Sequence, residues 1–421
     1  MNIIIDIIII IGYLVSLYFS IFLLLVYWDK KNVPEQATPL PRTPLISILV
    51  PAVNEENTIL QTLASIQQLD YPMEKLDVIV INDGSTDATQ ERVEKYICDK
   101  PHFRLISQEN RGKAASLNRA LMLARGEFFA CLDADSFVNH STLAKMLALY
   151  YRQNDSRLAI ITPAMKVYQP RNWLQKIQWI EYIIIIFISR LTSHLDSLYV
   201  APGPFSLYRT DIIRKLGGFD EKNITEDQEI AYRVQQHNYK IKQCCDGYVY
   251  TTAPAHLKPF YRQRRRWYLG SMLCLHKYKG MIANRRYGDF GLMQMIKNIV
   301  AYALAFTGII LIAYLFFIPL MTKIKNLFII KFNLLPYIYN WHVHFTYLDF
   351  LLADFRKGFL VLFLSFIGIF FFYQAHKNAH EKMLKVGWLV LIPYVAFYYL
   401  LKGIILLVSL VEFSRRKKIK W

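Results

Sequence analysis

The sequence predicts an α/β domain inserted between transmembrane helices, and three observations predict it. Apolar residues gather at the two ends of the 421-residue chain instead of spreading through it. Between those ends, short apolar runs alternate with helical segments, the pattern of a largely parallel sheet. The middle region also carries three acidic motifs: Asp83-Gly84-Ser85-Thr86-Asp87, Asp133-Ala134-Asp135 and Thr225-Glu226-Asp227.

Residues Asn2 to Trp28 are apolar apart from Asp6 and exceed the roughly 20 residues that a helix needs to span a bilayer. The run is longer than the apolar part of a signal peptide, has no Lys or Arg ahead of it and is followed by no small-residue cleavage site. It is therefore expected to remain, as a membrane helix over residues 1–28. At the other end Met293 to Leu320, Gly358 to Tyr373 and Gly387 to Val411 qualify, the second being short for a full crossing. Leu327 to Leu348 is apolar but carries Lys331, Pro336, His342 and His344, and reads as a poor span, a re-entrant segment or an interfacial helix.

Basic residues beside apolar spans stay on the cytoplasmic side. Lys30 and Lys31 follow the first span and nothing basic precedes it, so residues 30–290 are expected in the cytoplasm, beneath the plasma membrane. Arg415, Arg416, Lys417, Lys418 and Lys420 in the basic tail (413–421) obey the rule only if the C-terminal region (291–412) crosses an even number of times. That favours four C-terminal crossings over three.

The formal charge of +18 invites a nucleic-acid partner, but its location argues against one. Much of the excess lies at Lys258 to Arg266, at Arg285 and Arg286 and in the tail, beside apolar segments where anionic lipid headgroups are at hand. Membrane lipids are the expected partner. The five cysteines (Cys98, Cys131, Cys244, Cys245 and Cys274) show no metal-ligand spacing and are expected as reduced thiols.

The α/β domain (44–290) opens on a buried-strand pattern, Ile46 to Val50. A helix follows from about Thr58 to Leu69, then a strand at Asp77 to Ile81, a helix at Thr86 to Cys98 and a strand at Phe103 to Ser107. Ala114 to Ala124 is helical, and Phe128 to Leu132 is a fourth strand. On this map Pro51 to Glu56, Asp83, and Asp133 to Asp135 all fall just past carboxyl ends of strands, where open α/β sheets form their ligand crevice.

Each motif has a chemistry and a plainer alternative. Asp133 and Asp135 offer paired carboxylates suited to Mg²⁺ or Mn²⁺ held jointly with a diphosphate, or they decorate a solvated turn. Asp83 can accept from a nucleobase or ribose with Pro51, Asn54 and Glu55 as the other wall, while Ser85 or Thr86 caps the next helix. Lys113 starts a helix and can approach a phosphate or base, or simply be solvated. Asp227 fits an acidic first helical turn; it also fits the base that takes the proton from an attacking hydroxyl. Gln263-Arg264-Arg265-Arg266-Trp267 reads as a headgroup-facing basic helix, or as cations for a departing diphosphate beside an indole platform for a sugar.

Taken in order, these residues resemble the processive membrane synthases of glycosyltransferase family 2, which make poly-N-acetylglucosamine, hyaluronan, chitin and cellulose. The resemblance covers about residues 45–290 and implies a cytoplasmic GT-A, Rossmann-like domain that binds a nucleotide sugar. It implies that Pro51, Asn54, Glu55, Asp83 and Lys113 hold the UDP-sugar and that Asp133 and Asp135 hold the metal and diphosphate. Asp227 would be the catalytic base, and Gln263, Arg266 and Trp267 would meet the diphosphate and the acceptor end. Gly203-Pro204-Phe205 looks like the segment beneath the acceptor site, with Glu226 and Trp267 completing it. Thr225-Glu226 leans toward poly-N-acetylglucosamine and cellulose synthases, and Gly203-Pro204 toward hyaluronan synthases. Segments near 171–191 and 258–283 resemble interfacial helices, although the Ile183 to Ile186 run fits buried core equally well.

The resemblance implies an inverting enzyme that passes a sugar, N-acetylglucosamine foremost, from its UDP conjugate to a polysaccharide threaded between its own helices, with room for an accessory membrane subunit. The alternative is a single addition to a lipid such as a polyprenyl phosphate, ceramide or diacylglycerol. A catalytically idle scaffold or transporter subunit is disfavoured, because every chemical position is filled and Lys402 is the clear ionisable residue near the middle of a span.

Overall fold

A computed structural model describes residues 3–30, 40–329, 331 and 355–415. Its α/β domain is built on an eight-stranded sheet whose spatial order is β3-β2-β1-β4-β7-β6-β8-β5. The first half repeats the expected alternation: β1 (Ile46–Ala52), α2 (Ile59–Gln67), β2 (Leu76–Asp83), α3 (Thr89–Ile97), β3 (Phe103–Gln108), α4 (Lys113–Leu123) and β4 (Phe128–Cys131). Strands β1 to β4 pair in parallel. The chain builds outward from β1 to β3 and then returns to the other side of β1, so the crevice between β1 and β4 is a topological switch point.

The period of two in each strand splits the core into two layers. Ile46, Ile48 and Val50 face α2 and α5 (Thr142–Gln153), while Leu49, Ile79 and Ile81 face α4, α7 (Thr210–Lys215) and α8 (Glu226–Gln236). Each fully buried side chain of this kind contributes about 1.5–3 kcal/mol. The second half of the sheet departs from a purely parallel pattern. β7 (Leu207–Arg209) runs antiparallel to both β4 and β6 (Leu158–Val167). β5 (Ser136–Val138) is antiparallel to β8 (Lys240–Thr251), which itself pairs in parallel with β6.

Among the described residues four helices are long and apolar enough to cross a membrane: Ile5–Asp29 within α1 (Ile3–Lys30), α10 (Phe290–Ile329), Gly358–Asn378 within α11 (Phe355–Asn378) and α12 (Trp388–Ser414). The three expected spans at 293–320, 358–373 and 387–411 fall within the last three. Leu327 to Ile329 end α10, and most of the remaining Leu327 to Leu348 segment, the expected fourth C-terminal crossing, lies outside the described residues, as does most of the basic tail.

The helix expected to rest on the membrane is α6 (Trp173–His194). It starts in a capping box, with Asn172 accepting from Gln175 N, and most of its length is buried against β6, β8, α1 and α11. Ile183 and Ile186 are core, and only Trp173 and Ile185 among its large apolar side chains are exposed. α6 is thus a wedge between sheet and spans. α9 (Leu257–Lys277) packs beside it against α12.

Candidate active site

The site lies at the carboxyl ends of β1, β2 and β4, where three loops are laced together. Asn54, in a left-handed backbone conformation, donates its N–H to Ser85 Oγ (3.1 Å) and accepts from Thr86 N (2.8 Å). Glu55 N–H donates to Thr89 Oγ1 at 2.8 Å. Ser85 and Thr86 therefore bridge to the β1 loop and do not cap α3; Asp87 accepts from Thr89 N at 3.0 Å instead. The expectation of a Ser or Thr cap is corrected, because α3 starts three residues later than the sequence suggested.

Asp83 is buried, and its carboxylate is largely occupied by the protein. It accepts from Gln108 Nε2 (2.7 Å), Arg111 N (3.0 Å) and Gly112 N (2.9 Å), which pins the turn launching α4 at Lys113. The Lys113 ammonium lies 2.5 Å from Asp133 Oδ1 and 3.0 Å from Glu226 Oε1. One cation thus joins two motifs that lie far apart in sequence. Burial opposes its charge, but Asp133, Glu226 and Asp227 together hold its pKa above the usual lysine range. Gly203 closes over this pair: a Cβ there would come 2.8 Å from Lys113 Nζ and 3.2 Å from Asp133 Oδ2.

Asp227 is half-buried in the first turn of α8, where Oδ1 accepts from Gln228 N at 2.8 Å. Burial, then the Glu226 charge, push its carboxyl up to about 6 against the pull of Lys113 and Arg266. Burial would raise Glu226 as well, yet Lys113 and then Arg266 hold it below the ordinary range. Burial and then Asp133 push Asp135 up to about 6. Burial likewise raises Glu55, with the Asp133 charge adding to the shift.

The three consecutive arginines of α9 diverge, because each residue turns about 100° around a helix. Arg266 turns to the cleft, where it donates to Ile224 O at 3.3 Å. Arg264 is fully buried and bonds Glu181 of α6 at 2.5 Å, and Arg265 bonds Glu412 of α12 at 2.7 Å. Only one of the three therefore stands at the cleft. Gln263 carries a buried Oε1 with no hydrogen-bond partner in the described structure. Trp267 is half-buried with the Arg264 guanidinium 4.0 Å from its ring centre.

Pro51 is the penultimate residue of β1 and is half-buried, and Pro204 is buried beside Gly203. Phe205 is different: its side chain is fully buried in the core layer with Leu207, and its N–H donates to Cys131 O. Its ring therefore belongs to the core and not to the surface of the cleft.

Residues 47–217 match the Glycosyl transferase family 2 profile. The chain carries a family 2 glycosyltransferase domain. It is 27% identical over 376 residues to the poly-beta-1,6-N-acetyl-D-glucosamine synthase of Staphylococcus epidermidis, covering 89% of this chain and 84% of that one. A Staphylococcus aureus protein of the same name is 30% identical over 276 residues, 65% of this chain and 63% of the relative. Among solved structures, the mannosyltransferase PcManGT from Pyrobaculum calidifontis, in complex with GDP-Man and Mn²⁺, superposes with a TM-score of 0.57 at 17% identity, covering 96% of this chain and 99% of that one. The glycosyltransferase therefore has the GT-A-like fold, and with four helices of spanning length it is a membrane protein.

Sequence reasoning missed two parts of the glycosyltransferase's surroundings. Glu181 was legible only as a lone acid in the apolar run of α6, the kind of residue that needs a buried partner. Gly270 carries no motif, yet a Cβ there would come 2.1 Å from Thr225 Oγ1 and 2.7 Å from Thr225 Cβ. α9 can lie against the start of α8 only because this position has no side chain. Gly270→Ala is expected to destabilise the protein by about 1–3 kcal/mol through overpacking and to lower transfer further than stability alone explains. Thermal unfolding of the detergent-solubilised protein beside a donor-turnover assay checks this, and an unaltered melting point would refute it.

Proposed function

We propose that this glycosyltransferase transfers N-acetylglucosamine from its UDP conjugate to a growing polysaccharide, with inversion at the anomeric carbon and passage of the product through its own helices. The observation that carries the reading is Lys113, which holds Asp133 and Glu226 on one ammonium directly beside Asp227. The likeness to poly-N-acetylglucosamine synthases over most of the chain supports the choice of sugar and polymer. The domain of residues 44–290 is read as cytoplasmic, with the catalytic cleft beneath the plasma membrane.

Pro51, Asn54 and Glu55 line the uridine side, and Asp83 orders the turn that brings Lys113 to the phosphates. Asp133 and Asp135 fit a divalent cation. They are two oxygen-donor carboxylates whose mutual repulsion helps to raise Asp135, and a cation relieves that repulsion. Among the described residues no third His, Cys, Asp or Glu completes a cluster there, which suits Mg²⁺ or Mn²⁺ sharing its remaining positions with phosphate oxygens and water. When bound, the cation supplies charge neutralisation to the diphosphate.

Asp227 takes the proton from the acceptor hydroxyl as the hydroxyl oxygen attacks the anomeric carbon from the face opposite UDP. The bond to the β-phosphate oxygen breaks, its electron pair stays on UDP, and Arg266 faces the charge that develops there. Gly203 leaves space over the Lys113–Asp133 pair, and Trp267 offers its indole to the acceptor sugar.

Purified protein given radiolabelled UDP-N-acetylglucosamine and Mg²⁺ or Mn²⁺ is expected to yield a ladder of products, whereas one lipid-soluble product would replace the polymer by a single lipid addition. Asp227→Asn should lose about 10²–10⁴-fold in elongation while still binding UDP, measured by calorimetry. Because the base must be ionised, kcat/KM should fall as pH drops through about 6. Glu226→Gln, which removes a charge that raises Asp227, should move that limb to lower pH; an unmoved limb counts against the assignment. EDTA should abolish transfer and either cation restore it, and full turnover in EDTA would end the metal role.

A further inference from the structure

The QRRRW segment is tied to the last span by a buried cluster that the transfer chemistry leaves unexplained. Glu181 of α6 sits at its centre. Its Oε2 accepts from Arg264 Nη2 at 2.5 Å and from the Tyr398 hydroxyl at 2.6 Å, and its Oε1 accepts from Lys402 Nζ at 2.6 Å. Tyr398 and Lys402 belong to α12, and Tyr398 ends a π-helical turn over Tyr394–Tyr398, a widening often found at functional positions. Three helices thus meet on one carboxylate.

Arg264 and Trp267 are three residues apart and share a face of α9. The guanidinium that Glu181 holds also lies 4.0 Å from the Trp267 ring centre, so the plane of the indole follows the position of Glu181. Arg266, two residues along, points instead to Ile224 at the cleft. The two sides of the segment are therefore held separately.

We propose that Glu181, Tyr398 and Lys402 are positioning residues that set the orientation of Trp267 through Arg264, and so govern acceptor binding independently of donor binding. This rests on the reading of Trp267 as the acceptor platform. The arrangement also makes the last span a mechanical partner of the acceptor site, because displacing Lys402 or Tyr398 pulls on the carboxylate that fixes Arg264.

The test is a pair of Michaelis constants measured on detergent-solubilised full-length protein, one for UDP-N-acetylglucosamine and one for a short N-acetylglucosamine oligosaccharide. Tyr398→Phe keeps the ring and removes the hydroxyl's two hydrogen bonds, one to Glu181 and one from Arg264, so the apolar packing that folds this region is kept. Lys402→Met and the paired Glu181→Gln/Lys402→Met variant, which leaves Arg264 an amide oxygen and no stranded ammonium, extend the series. The oligosaccharide KM should rise in that order, reaching at least fivefold, while the donor KM stays within twofold and mean product length falls. If both constants move together, or neither moves in Tyr398→Phe and Lys402→Met, the positioning role is overturned. A wild-type protein that turns over donor but never extends the oligosaccharide overturns the polymer reading instead, which separates the two failures.

Discussion

The site depends on an imbalance of charge at the carboxyl edge of the sheet. Asp133, Asp135, Glu226 and Asp227 meet there, with Lys113 and Arg266 facing them. Lys113 is shared by Asp133 and Glu226, while burial and then a neighbouring carboxylate raise Asp135 and Asp227, and burial raises Glu55. On the proposed reading, a metal would relieve Asp135 and Asp227 takes the proton. Burial beside like charge then prepares both functions.

That imbalance is maintained by parts of the protein that never meet it. Asp83 directs its carboxylate to the Arg111–Gly112 turn, so a residue at the end of β2 decides where Lys113 begins its helix. Gly270 allows α9 to press on Thr225, which fixes the first turn of α8 and with it Glu226 and Asp227. The walls of the cleft come from the regular parallel half of the sheet on one side and from α8 and α9 on the other.

Much of this was legible in the sequence, for physical reasons that can be named. Nearly continuous apolar runs such as Ile46–Val50, broken only by Ser47, are what a strand buried on both faces requires, and the motifs after those strands had to share the crevice. The short antiparallel strands were not legible, because three residues such as Leu207–Arg209 leave no period to read. Phe205 sits in a motif read as the segment beneath the acceptor site, but its residue type did not reveal the backbone turn with φ of 60° that sends its ring into the core. The destinations of Arg264 and Arg265 were equally hidden, since their partners Glu181 and Glu412 are separated from them by 83 and 147 positions.

The divergence of the three arginines also resolves why so basic a run tolerates burial. A fully buried guanidinium is stable only when its charge is met, and Glu181 supplies the opposite charge for Arg264 through Nη2. Burial alone would raise Glu181, yet Arg264 and Lys402 outweigh it and hold the carboxyl at about 2, so the pairing persists across any pH at which the cleft functions. A charge cluster that stays ionised is a fixed joint and not a titrating switch. The α/β domain and α12 are consequently coupled by a contact whose strength does not vary with the protonation of the cleft carboxylates, and the cleft can gain or lose protons without loosening its hold on the apolar helices.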